Sequence, residues 1–310
     1  KKTTTNWRIF FAMTDFYNLK LNINKQLSLQ RLDKALSSNL EGYSRTQVKT
    51  LILSGNVIKD NIQIKDPSYI TKENENFSIN IFIKKEIKHK PEDIDLNIIH
   101  EDEDLLIINK PPNLVMHPAP GNESGTLVNA LMHYTKNNLS NINDNSRPGI
   151  VHRLDKDTSG ILIFALNRKS AKYFSDLFSE RKIEKIYEAI VIGEPKDNEG
   201  IFENHVEEDG KTYLAETKYK IIKRLPNDLT HIELRPTTGR KHQLRIHCKL
   251  NGLPILGDNK YYLPISKVYK NENNLFLHAK KIIFNDQNGV LVKVEAKLPK
   301  YFFNYIWLFT

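Results

Sequence analysis

The sequence predicts an α+β protein, and three observations support this prediction. Apolar residues recur at helical spacing in two short segments near the N-terminus, and a tight hairpin follows them. Farther along the chain, short apolar runs typical of strands alternate with amphipathic helical segments. At 310 residues the chain is also long enough for one large core plus a small module.

The N-terminal module is indicated by two helical patterns and one hairpin. Apolar residues recur at helical spacing from Leu29 to Leu36. A second helix begins after Ser44, because Ser44 and Gln47 have the spacing of a capping box. Two short apolar runs then flank residues 59–61, which is typical of a tight β-hairpin. The pattern therefore predicts a compact module of two short helices and a small sheet.

The same patterns divide the chain into four segments. Residues 1–27 show no sustained period and are assigned to a flexible tail. Residues 28–83 form the small module. Residues 84–92 are charged, contain Pro91 and lack apolar periodicity, so they are assigned to a linker. Residues 93–310 form the large domain.

The composition favours a polyanionic partner. The chain carries 46 lysines and arginines against 37 aspartates and glutamates, a formal net charge of +9. Membranes and acidic proteins also attract basic chains, so charge alone does not identify the partner. The single cysteine, Cys248, excludes an internal disulfide and indicates a reducing compartment, for which we expect the cytoplasm. No apolar run approaches the ~20 residues that a membrane-spanning helix needs.

Neither a metal nor an organic cofactor is expected. His242 and His247 are five residues apart and do not share a helix face, and no carboxylate or third ligand accompanies them. The sequence also has no glycine-rich dinucleotide loop and no phosphate-binding loop. The predicted chemistry therefore uses only the side chains of the protein.

The segment His152–Asp157 concentrates acidic and basic residues between two apolar runs. The run that follows it, Ile161–Leu166, is continuously apolar and predicts a strand buried on both faces. Asp155 is therefore expected on a loop held by a core strand, where functional side chains are often mounted. A carboxylate flanked by His152 and by two basic residues should stay ionised and could serve as a nucleophile. The alternative is a solvated loop with local ion pairs.

Two further clusters follow this loop. Residues 169–185 predict an amphipathic helix, and a strand begins after it at Ile186, with Tyr187 near its start. A strand–helix–strand unit can bring the start of its second strand close to the loop that precedes the first. The third cluster, Gly239–Lys249, comes after a strand that ends at Pro236, and it loads one short predicted helix with basic side chains.

These clusters together carry a family resemblance. His-Arg-Leu-Asp-Lys-Asp-Thr-Ser-Gly-Ile-Leu at 152–162, Lys-Ile-Tyr-Glu-Ala at 185–189 and Gly-Arg-Lys-His-Gln-Leu-Arg-Ile-His at 239–247, with Pro254–Asp258 beyond, resemble the signatures of the RluA-type RNA pseudouridine synthases. Those enzymes isomerise uridine within RNA. The N-terminal module resembles the αL RNA-binding module, which is typical of the RluC- and RluD-like branch. The resemblance spans nearly all of residues 28–300.

The resemblance implies both a fold and a set of roles. The large domain would have the pseudouridine synthase fold, a mixed, mostly antiparallel sheet with flanking helices and a central cleft. Asp155 corresponds to the catalytic residue, Tyr187 to the aromatic that stacks on the target base, and Arg245 to the basic residue that pairs with the catalytic carboxylate. Arg153 could fill the gap left when the target nucleotide leaves its stack. The remaining predicted RNA contacts are His152, Arg240, Lys241, His242 and Gln243 in the large domain, with Arg45 and Lys49 in the small module.

Arg45 and Lys49 lie four residues apart on one predicted helix. Like charges at this spacing are unfavourable unless an anion faces them, and an RNA phosphate would be such an anion. The alternative is an ordinary solvated helix face.

The resemblance predicts an isomerase whose substrate is large-subunit ribosomal RNA or its assembly intermediate, with transfer RNA as the alternative. Asp155 could attack the sugar or the base, or remove a sugar proton, and the residues leave this choice open. One rival function is a non-catalytic ribosome-assembly factor, but such a protein would tolerate loss of Asp155 or Tyr187 and both are present. A second rival function is an RNA glycosidase or nuclease. A glycosidase normally pairs two carboxylates, and Asp157 is the only candidate close to Asp155 for the second one. We expect a monomer.

Overall fold

A computed structural model describes residues 16–40, 43–82, 90–118, 121–136, 149–269 and 272–306. The chain divides into two compact units, Lys1–Glu86 and Ile87–Thr310. None of the helices in these described ranges is long and apolar enough to cross a membrane.

In its described residues, the N-terminal unit is a four-stranded sheet with two helices. Its strands lie in the order β1-β4-β2-β3 and are antiparallel to their neighbours. The capping box of Ser44 and Gln47 is present as predicted. Asp60 and Asn61 both have positive φ, as a two-residue hairpin turn requires. The elements are β1 (Phe16–Asn22), α1 (Leu32–Ser37), α2 (Arg45–Leu53), β2 (Val57–Lys59), β3 (Ile62–Gln63) and β4 (Asn76–Phe82).

The predicted flexible tail, residues 1–27, extends too far along the chain, because strand β1 is part of the folded N-terminal unit. Phe16–Asn22 pairs along its whole length with β4, and Ile23 and Leu27 after it are buried in the core of the unit. The signal is an alternation of apolar residues at 17, 19, 21 and 23, a period of two that suits a strand. Residues 1–15 of the predicted tail lie outside the described residues.

The predicted linker also ends earlier than expected. Residues 83–89 lie outside the described residues, but Lys90 and Glu92 are fixed to the large unit. The Asn129 side chain donates a hydrogen bond to the carbonyl oxygen of Lys90 (2.7 Å), and the Glu92 carboxylate accepts one from the backbone N–H of Gly125 (2.9 Å). These two contacts anchor the segment beside the N-terminus of a helix.

The described part of the large unit is built on one nine-stranded sheet, with strand order β5-β6-β7-β12-β8-β11-β10-β9 and with β13 paired to β12. Only the β7–β12 pairing is parallel among the described strands, so the mixed, mostly antiparallel sheet is confirmed. Its strands are β5 (Ile98–Glu101), β6 (Leu105–Lys110), β7 (Ser159–Ala165), β8 (Glu184–Ile192), β9 (Glu199–Glu208), β10 (Lys211–Leu225), β11 (Leu229–Pro236), β12 (Leu277–Asn285) and β13 (Leu291–Glu295). Its helices are α3 (Leu127–Tyr134), α4 (Arg168–Ser179), α5 (Gln243–Leu250) and α6 (Lys300–Ile306), with a 3-10 helix at Pro264–Tyr269.

Strand β7 lies in the core, as its continuous apolar sequence predicted. Every residue of the strand is buried. The chain enters the strand through Gly160, whose φ is +112°. A Cβ at this position would lie 2.3 Å from the carbonyl oxygen of Ala279 on β12, so only glycine permits β7 and β12 to approach each other here.

Helix α4 is shorter than predicted. It ends at Ser179, whereas the sequence pattern extended the helix to residue 185. Arg181 adopts a left-handed backbone (φ +59°), and the N–H of Lys182 donates to the carbonyl oxygen of Leu177. This geometry ends helices and is usually formed by glycine. Strand β8 then begins at Glu184, two residues earlier than the predicted Ile186.

Candidate active site

The register of three neighbouring strands places the first two sequence clusters on one cleft. Ala279 of β12 lies opposite Gly160 of β7 on one side and opposite Tyr187 of β8 on the other. The loop that carries Asp155 leads directly into β7, so Tyr187 and Asp155 reach the same site from strands that flank β12. The third cluster also lines this cleft. The cleft has a volume of about 380 Å³ and is lined by residues of all three clusters.

Asp155 is an accessible carboxylate between two basic side chains. Its side chain is 21% exposed. One carboxylate oxygen lies 3.6 Å from Nη1 of Arg245, and the other lies 3.5 Å from Nε2 of His242. Both distances exceed those of a short hydrogen bond, so the carboxylate is aimed by its neighbours but remains free to react.

Arg245 is anchored by a second carboxylate, that of Asp258. Nε and Nη2 of Arg245 each donate a 2.7 Å hydrogen bond to Asp258, whose side chain is fully buried and also accepts the backbone N–H groups of Lys260 and Tyr261. Burial alone would raise the pKa of Asp258, but the hydrogen bond from Arg245 and those from the backbone hold it below its usual value. The predicted Arg245–Asp155 pair is therefore present, but Asp258 is the closer partner.

His242 lies at the start of α5 with a left-handed backbone (φ +56°), a conformation that is strained for a non-glycine residue. Its Nδ1 makes a 2.7 Å hydrogen bond with the hydroxyl group of Tyr261, which leaves Nε2 facing Asp155. Burial lowers the pKa of His242 despite the nearby Asp155 carboxylate. The lowered pKa favours a neutral ring, and the contact with Asp155 differs from the RNA-facing surface that the sequence predicted for this residue.

His152 lines the cleft and is neutral. Its Nε2 accepts a 2.9 Å hydrogen bond from the backbone N–H of Ile163, so the ring proton is on Nδ1. The ring stacks on Phe178 with centroids 4.4 Å apart. Burial, with a smaller contribution from Lys185, lowers the pKa of His152 to about 3. The prediction that His152 helps to keep Asp155 ionised by its charge is therefore wrong.

Tyr187 lines the cleft and packs against the apolar cores on both sides of it. Burial raises the pKa of its hydroxyl, and the Asp155 carboxylate adds to the effect. The phenol is therefore neutral at physiological pH, and its ring is held rigidly enough to serve as a stacking surface.

Three further residues of the large unit that were predicted to contact RNA, namely Arg153, Lys241 and Arg240, have two kinds of environment. Arg153 and Lys241 are exposed at the edge of the cleft and form no ion pair within the described residues. Arg240 lies 4.1 Å above the ring of Tyr213 and 3.7 Å from the carboxylate of Glu208, so it is held against the β9–β10 hairpin. All three side chains line the cleft, and Arg153 and Lys241 leave positive charge at its edge.

The environment of Gln243 argues against the predicted contact with RNA. Its side-chain oxygen accepts hydrogen bonds from the Thr238 hydroxyl and from the backbone N–H of Arg240. Its side-chain nitrogen donates to the carbonyl oxygen of Glu216 and to the Thr217 hydroxyl. Four bonds use the full capacity of the amide, and the residue is buried. Gln243 therefore holds the loop before α5 in place.

Sequence reasoning missed two charged residues of the site, Lys185 and Asp258. Lys185 lines the cleft two residues before Tyr187, and the period of two along β8 could have placed both side chains on the same face. Asp258 ends the Pro254–Asp258 motif that contributed to the family resemblance, but no role was assigned to it. Only the folded chain shows that it holds Arg245.

The two predicted RNA contacts of the N-terminal unit have different environments. Nη2 of Arg45 lies 3.0 Å from the carboxylate of Asp33, which also binds Arg31 at 3.1 Å. The pKa of Asp33 is lowered, chiefly by the hydrogen bond from Arg31, so the carboxylate is charged. Asp33 therefore supplies the anion that the sequence analysis expected from RNA, although Arg45 is still 55% exposed. Lys49 is exposed and forms no ion pair within the described residues.

A buried lysine fixes the loop that carries Asp155. The ammonium group of Lys110 donates hydrogen bonds to three backbone carbonyl oxygens, those of Pro111 (2.8 Å), Leu114 (3.1 Å) and Lys156 (2.8 Å). Lys110 is fully buried, and burial lowers its pKa to about 7 although Asp157 and Asp155 favour the charged form. The contact with the carbonyl oxygen of Lys156 joins the end of β6 to the residue after Asp155.

We expect Lys110→Met to destabilise the protein by about 2–4 kcal/mol, because three buried carbonyl oxygens lose their donor. The Asp155 loop should also become mobile, and the activity should fall with it. Lys156→Met is the matched control, since Lys156 contributes its backbone carbonyl and its side chain is exposed. Urea unfolding of the two variants checks the prediction, which is contradicted if they are equally stable.

Comparisons with known proteins agree with this geometry. A family model described as RNA pseudouridylate synthase matches residues 104–250, and an S4 domain model matches residues 30–76. An uncharacterised RNA pseudouridine synthase of Aquifex aeolicus is 35% identical over 90% of this chain and 94% of its own length. The ribosomal large subunit pseudouridine synthase D of Zymomonas mobilis is 37% identical over 78% of this chain and 80% of its own length. The structure of human RNA pseudouridylate synthase domain containing 4 covers 66% of this chain and 90% of that chain with a TM-score of 0.52 and 26% identity.

One cleft is lined by the accessible carboxylate of Asp155, by the ring of Tyr187 and by several cations, and this arrangement suits an enzyme that acts on a nucleotide within a polyanion. The chain belongs to the RNA pseudouridine synthase family, in the RluA-type group that carries an N-terminal S4 domain. Its activity is the isomerisation of uridine to pseudouridine in RNA. The S4 domain is the module that the sequence analysis called αL.

Proposed function

We propose that this enzyme modifies specific uridines of large-subunit ribosomal RNA and that Asp155 is its catalytic carboxylate. The observation that carries the proposal is the position of Asp155, the accessible carboxylate that lies in the cleft between Arg245 and His242. Breaking the glycosidic bond and rejoining the base through carbon requires one carboxylate and a pocket that retains the free uracil.

The target nucleotide leaves its helix stack to reach Asp155, which costs a few kcal/mol. Tyr187 offers a rigid ring on the cleft wall, and stacking of this kind is worth ~1–3 kcal/mol per base. Arg153 is exposed beside Asp155 and can occupy the place that the nucleotide vacates. Lys241, which is exposed at the cleft edge, and Arg240, which is held beside Tyr213, can contact the phosphates on either side of it.

Arg245 and His242 keep the carboxylate aimed without binding it tightly. The two side chains are themselves fixed by Asp258 and Tyr261, which lie on one short segment of the chain. A carboxylate that shares a buried bidentate arginine would be a poor nucleophile. Here Asp258 binds Arg245 closely, whereas Asp155 lies 3.6 Å from it, so Asp155 is not held in a tight ion pair that would lower its nucleophilicity.

Ribosomal RNA is favoured as the substrate because several relatives at 33–40% identity are named ribosomal large subunit pseudouridine synthase D. The S4 domain adds a second RNA-binding unit, which suits a large folded RNA better than an isolated stem-loop. Transfer RNA remains the alternative substrate.

In the S4 domain we expect Lys49→Ala to weaken RNA binding and to reduce the slope of log K against log salt by about 1, as loss of one phosphate contact does. Arg45→Ala should have a smaller effect on binding, because Arg45 already binds Asp33. Filter binding of large-subunit RNA fragments at several salt concentrations measures both slopes. Equal slopes for Lys49→Ala and the wild type would remove Lys49 from the RNA interface.

The substrate proposal is tested with purified enzyme and three RNAs: a transcript of large-subunit ribosomal RNA, the assembled large subunit and bulk transfer RNA. Each RNA carries tritium at C5 of uridine, because C5 exchanges its proton for the new bond to the sugar and releases the label into water. We expect release from ribosomal RNA, in one or both forms. Release from transfer RNA alone would exclude the proposed substrate and favour the alternative.

A further inference from the structure

Lys185 is a charged residue of the cleft to which the proposed function assigns no role. It lies on β8 two residues before Tyr187, and because side chains of a strand alternate between faces, the two point to the same side of the sheet, about 6–7 Å apart along the strand. A Cβ placed on Gly239 would lie 3.7 Å from Nζ of Lys185. The ammonium group therefore reaches from the cleft floor to the loop that carries Arg240 and His242.

The ammonium group has no counter-ion in the described part of the chain. No carboxylate lies within ion-pair distance of it, and its near neighbours are the neutral ring of His152 and the charged side chain of Arg181. Burial and Arg181 both lower the pKa of Lys185. A half-buried cation without a partner is costly, and such a residue in a cleft is a candidate for contact with a ligand that supplies the missing hydrogen-bond acceptor.

The geometry points to a further catalytic residue: Lys185 donates a hydrogen bond to a carbonyl oxygen of the target uracil and stabilises the negative charge that the base acquires during the reaction. This inference rests on the proposed function, in that it takes Asp155 as the reacting carboxylate. The proposed contact of Lys185 is with the base, whereas Asp155 can act on either the sugar or the base.

The role of Lys185 is the same for each route open to Asp155. If the carboxylate attacks C1′ of the sugar, an ester bond forms, the C1′–N1 bond breaks, and its electron pair leaves on uracil, spread over N1, O2 and O4. If Asp155 removes the C2′ proton, the C2′–H pair forms a C1′=C2′ double bond and the C1′–N1 pair again leaves on uracil. If Asp155 adds to C6, the C5=C6 pair moves to C5 and O4. Every route places negative charge on a uracil oxygen, where a preorganised donor is most effective.

The depth of Lys185 favours uracil over a backbone phosphate as its ligand. Arg153 and Lys241 are exposed at the rim, where the RNA backbone passes, and they are suited to phosphate contacts. Lys185 is half-buried beside the ring of Tyr187, on which the base stacks. A phosphate at that depth would lose most of its hydration.

The test measures single-turnover rate and RNA affinity separately for Lys185→Met, Lys185→Arg and the control Lys182→Met, whose target lysine is exposed and paired with Glu180. We expect Lys185→Met to lower the rate about 10²- to 10³-fold, as loss of one charge-stabilising donor does. Its RNA affinity should stay within about threefold of the wild type, which corresponds to less than 1 kcal/mol. Lys185→Arg should recover part of the rate, and Lys182→Met should behave as the wild type.

Sulfur substitution in the substrate identifies the contact. Substrate RNAs carrying 2-thiouridine or 4-thiouridine at the target site replace one uracil oxygen each by a weaker acceptor. With one of these two bases, the loss caused by Lys185→Met should shrink at least about tenfold, because the donor and acceptor act as a pair. A residue that only supports the fold would give the same loss with all three bases.

Several outcomes would overturn the inference. An unchanged rate for Lys185→Met, with an active wild type, would remove Lys185 from catalysis and leave the proposed function intact. A loss confined to affinity, with a salt slope reduced by about 1, would assign Lys185 to a phosphate. Absence of activity in the wild type on every RNA would refute the proposed function, and the inference about Lys185 would fall with it.

Discussion

Asp155→Asn is expected to abolish isomerisation, with a fall in single-turnover rate of at least about 10⁴-fold, the scale seen when a reacting side chain is removed. Asparagine preserves the shape of the side chain but can neither attack carbon nor accept a proton. The RNA affinity should remain within about threefold, because rim cations supply most of the binding energy. Tritium release from C5-labelled RNA measures the rate.

Asp157→Asn is the matched control. Asp157 is the neighbouring carboxylate, but it does not line the cleft. This variant should keep its rate within about threefold of the wild type, a change below 1 kcal/mol in the barrier. A loss of rate equal to that of Asp155→Asn would instead indicate a pair of carboxylates, as in a glycosidase. Thermal unfolding of both variants should match the wild type, since Asp155 forms only long ion pairs.

Asp258→Asn is expected to have the largest effect on stability, about 3–5 kcal/mol, because it removes the close counter-ion of the buried Arg245 guanidinium and leaves only the 3.6 Å contact with Asp155. Arg245 and Tyr261 should then move, and with them the groups that aim Asp155. A displacement of this size near the reacting groups can cost about 10² in rate. Urea unfolding and tritium release measure the two effects.

The control for Asp258→Asn is a surface ion pair. Arg235 and Glu184 lie 2.8 Å apart, but both are nearly half exposed, so Glu184→Gln should change stability by less than about 1 kcal/mol. If Asp258→Asn were no more destabilising than Glu184→Gln, the anchoring role of Asp258 would be wrong.

The lowered pKa of Asp258 predicts that the protein loses stability as the pH falls. The pKa of Asp258 is lower in the fold than in the unfolded chain, so its stabilising contribution is complete above the ordinary carboxyl pKa and is lost as the pH falls through the folded value. The wild type should therefore lose stability on acidification more steeply than Asp258→Asn.

The sequence predicted the parts of the fold that local patterns determine. The capping box at Ser44, the hairpin at residues 57–63 and the buried strand after Asp155 were correct because each depends on neighbouring residues. Strand β1 was missed because its alternation is short and its partner, β4, lies about sixty residues away. Helix α4 was drawn too long because an arginine, rather than a glycine, takes the left-handed position at its end.

The site was predicted as a set of residues but not as an electrostatic arrangement. Asp155, Tyr187 and Arg245 do share one cleft. The sequence could not show that His152 is neutral, since its state depends on the N–H of Ile163 and on stacking with Phe178. Nor could local spacing identify the partners of Gln243 and Arg245, because those partners lie in distant segments of the chain.

The central claim, that the Asp155 carboxylate isomerises uridine in large-subunit ribosomal RNA, is tested most directly in cells. Pseudouridines are mapped in total RNA from cells that lack the gene and re-express either the wild type or Asp155→Asn. We expect specific sites of large-subunit RNA to disappear without the gene and to return only with the wild type. Sites that return with Asp155→Asn would contradict the catalytic assignment, and dependence confined to transfer RNA would contradict the substrate.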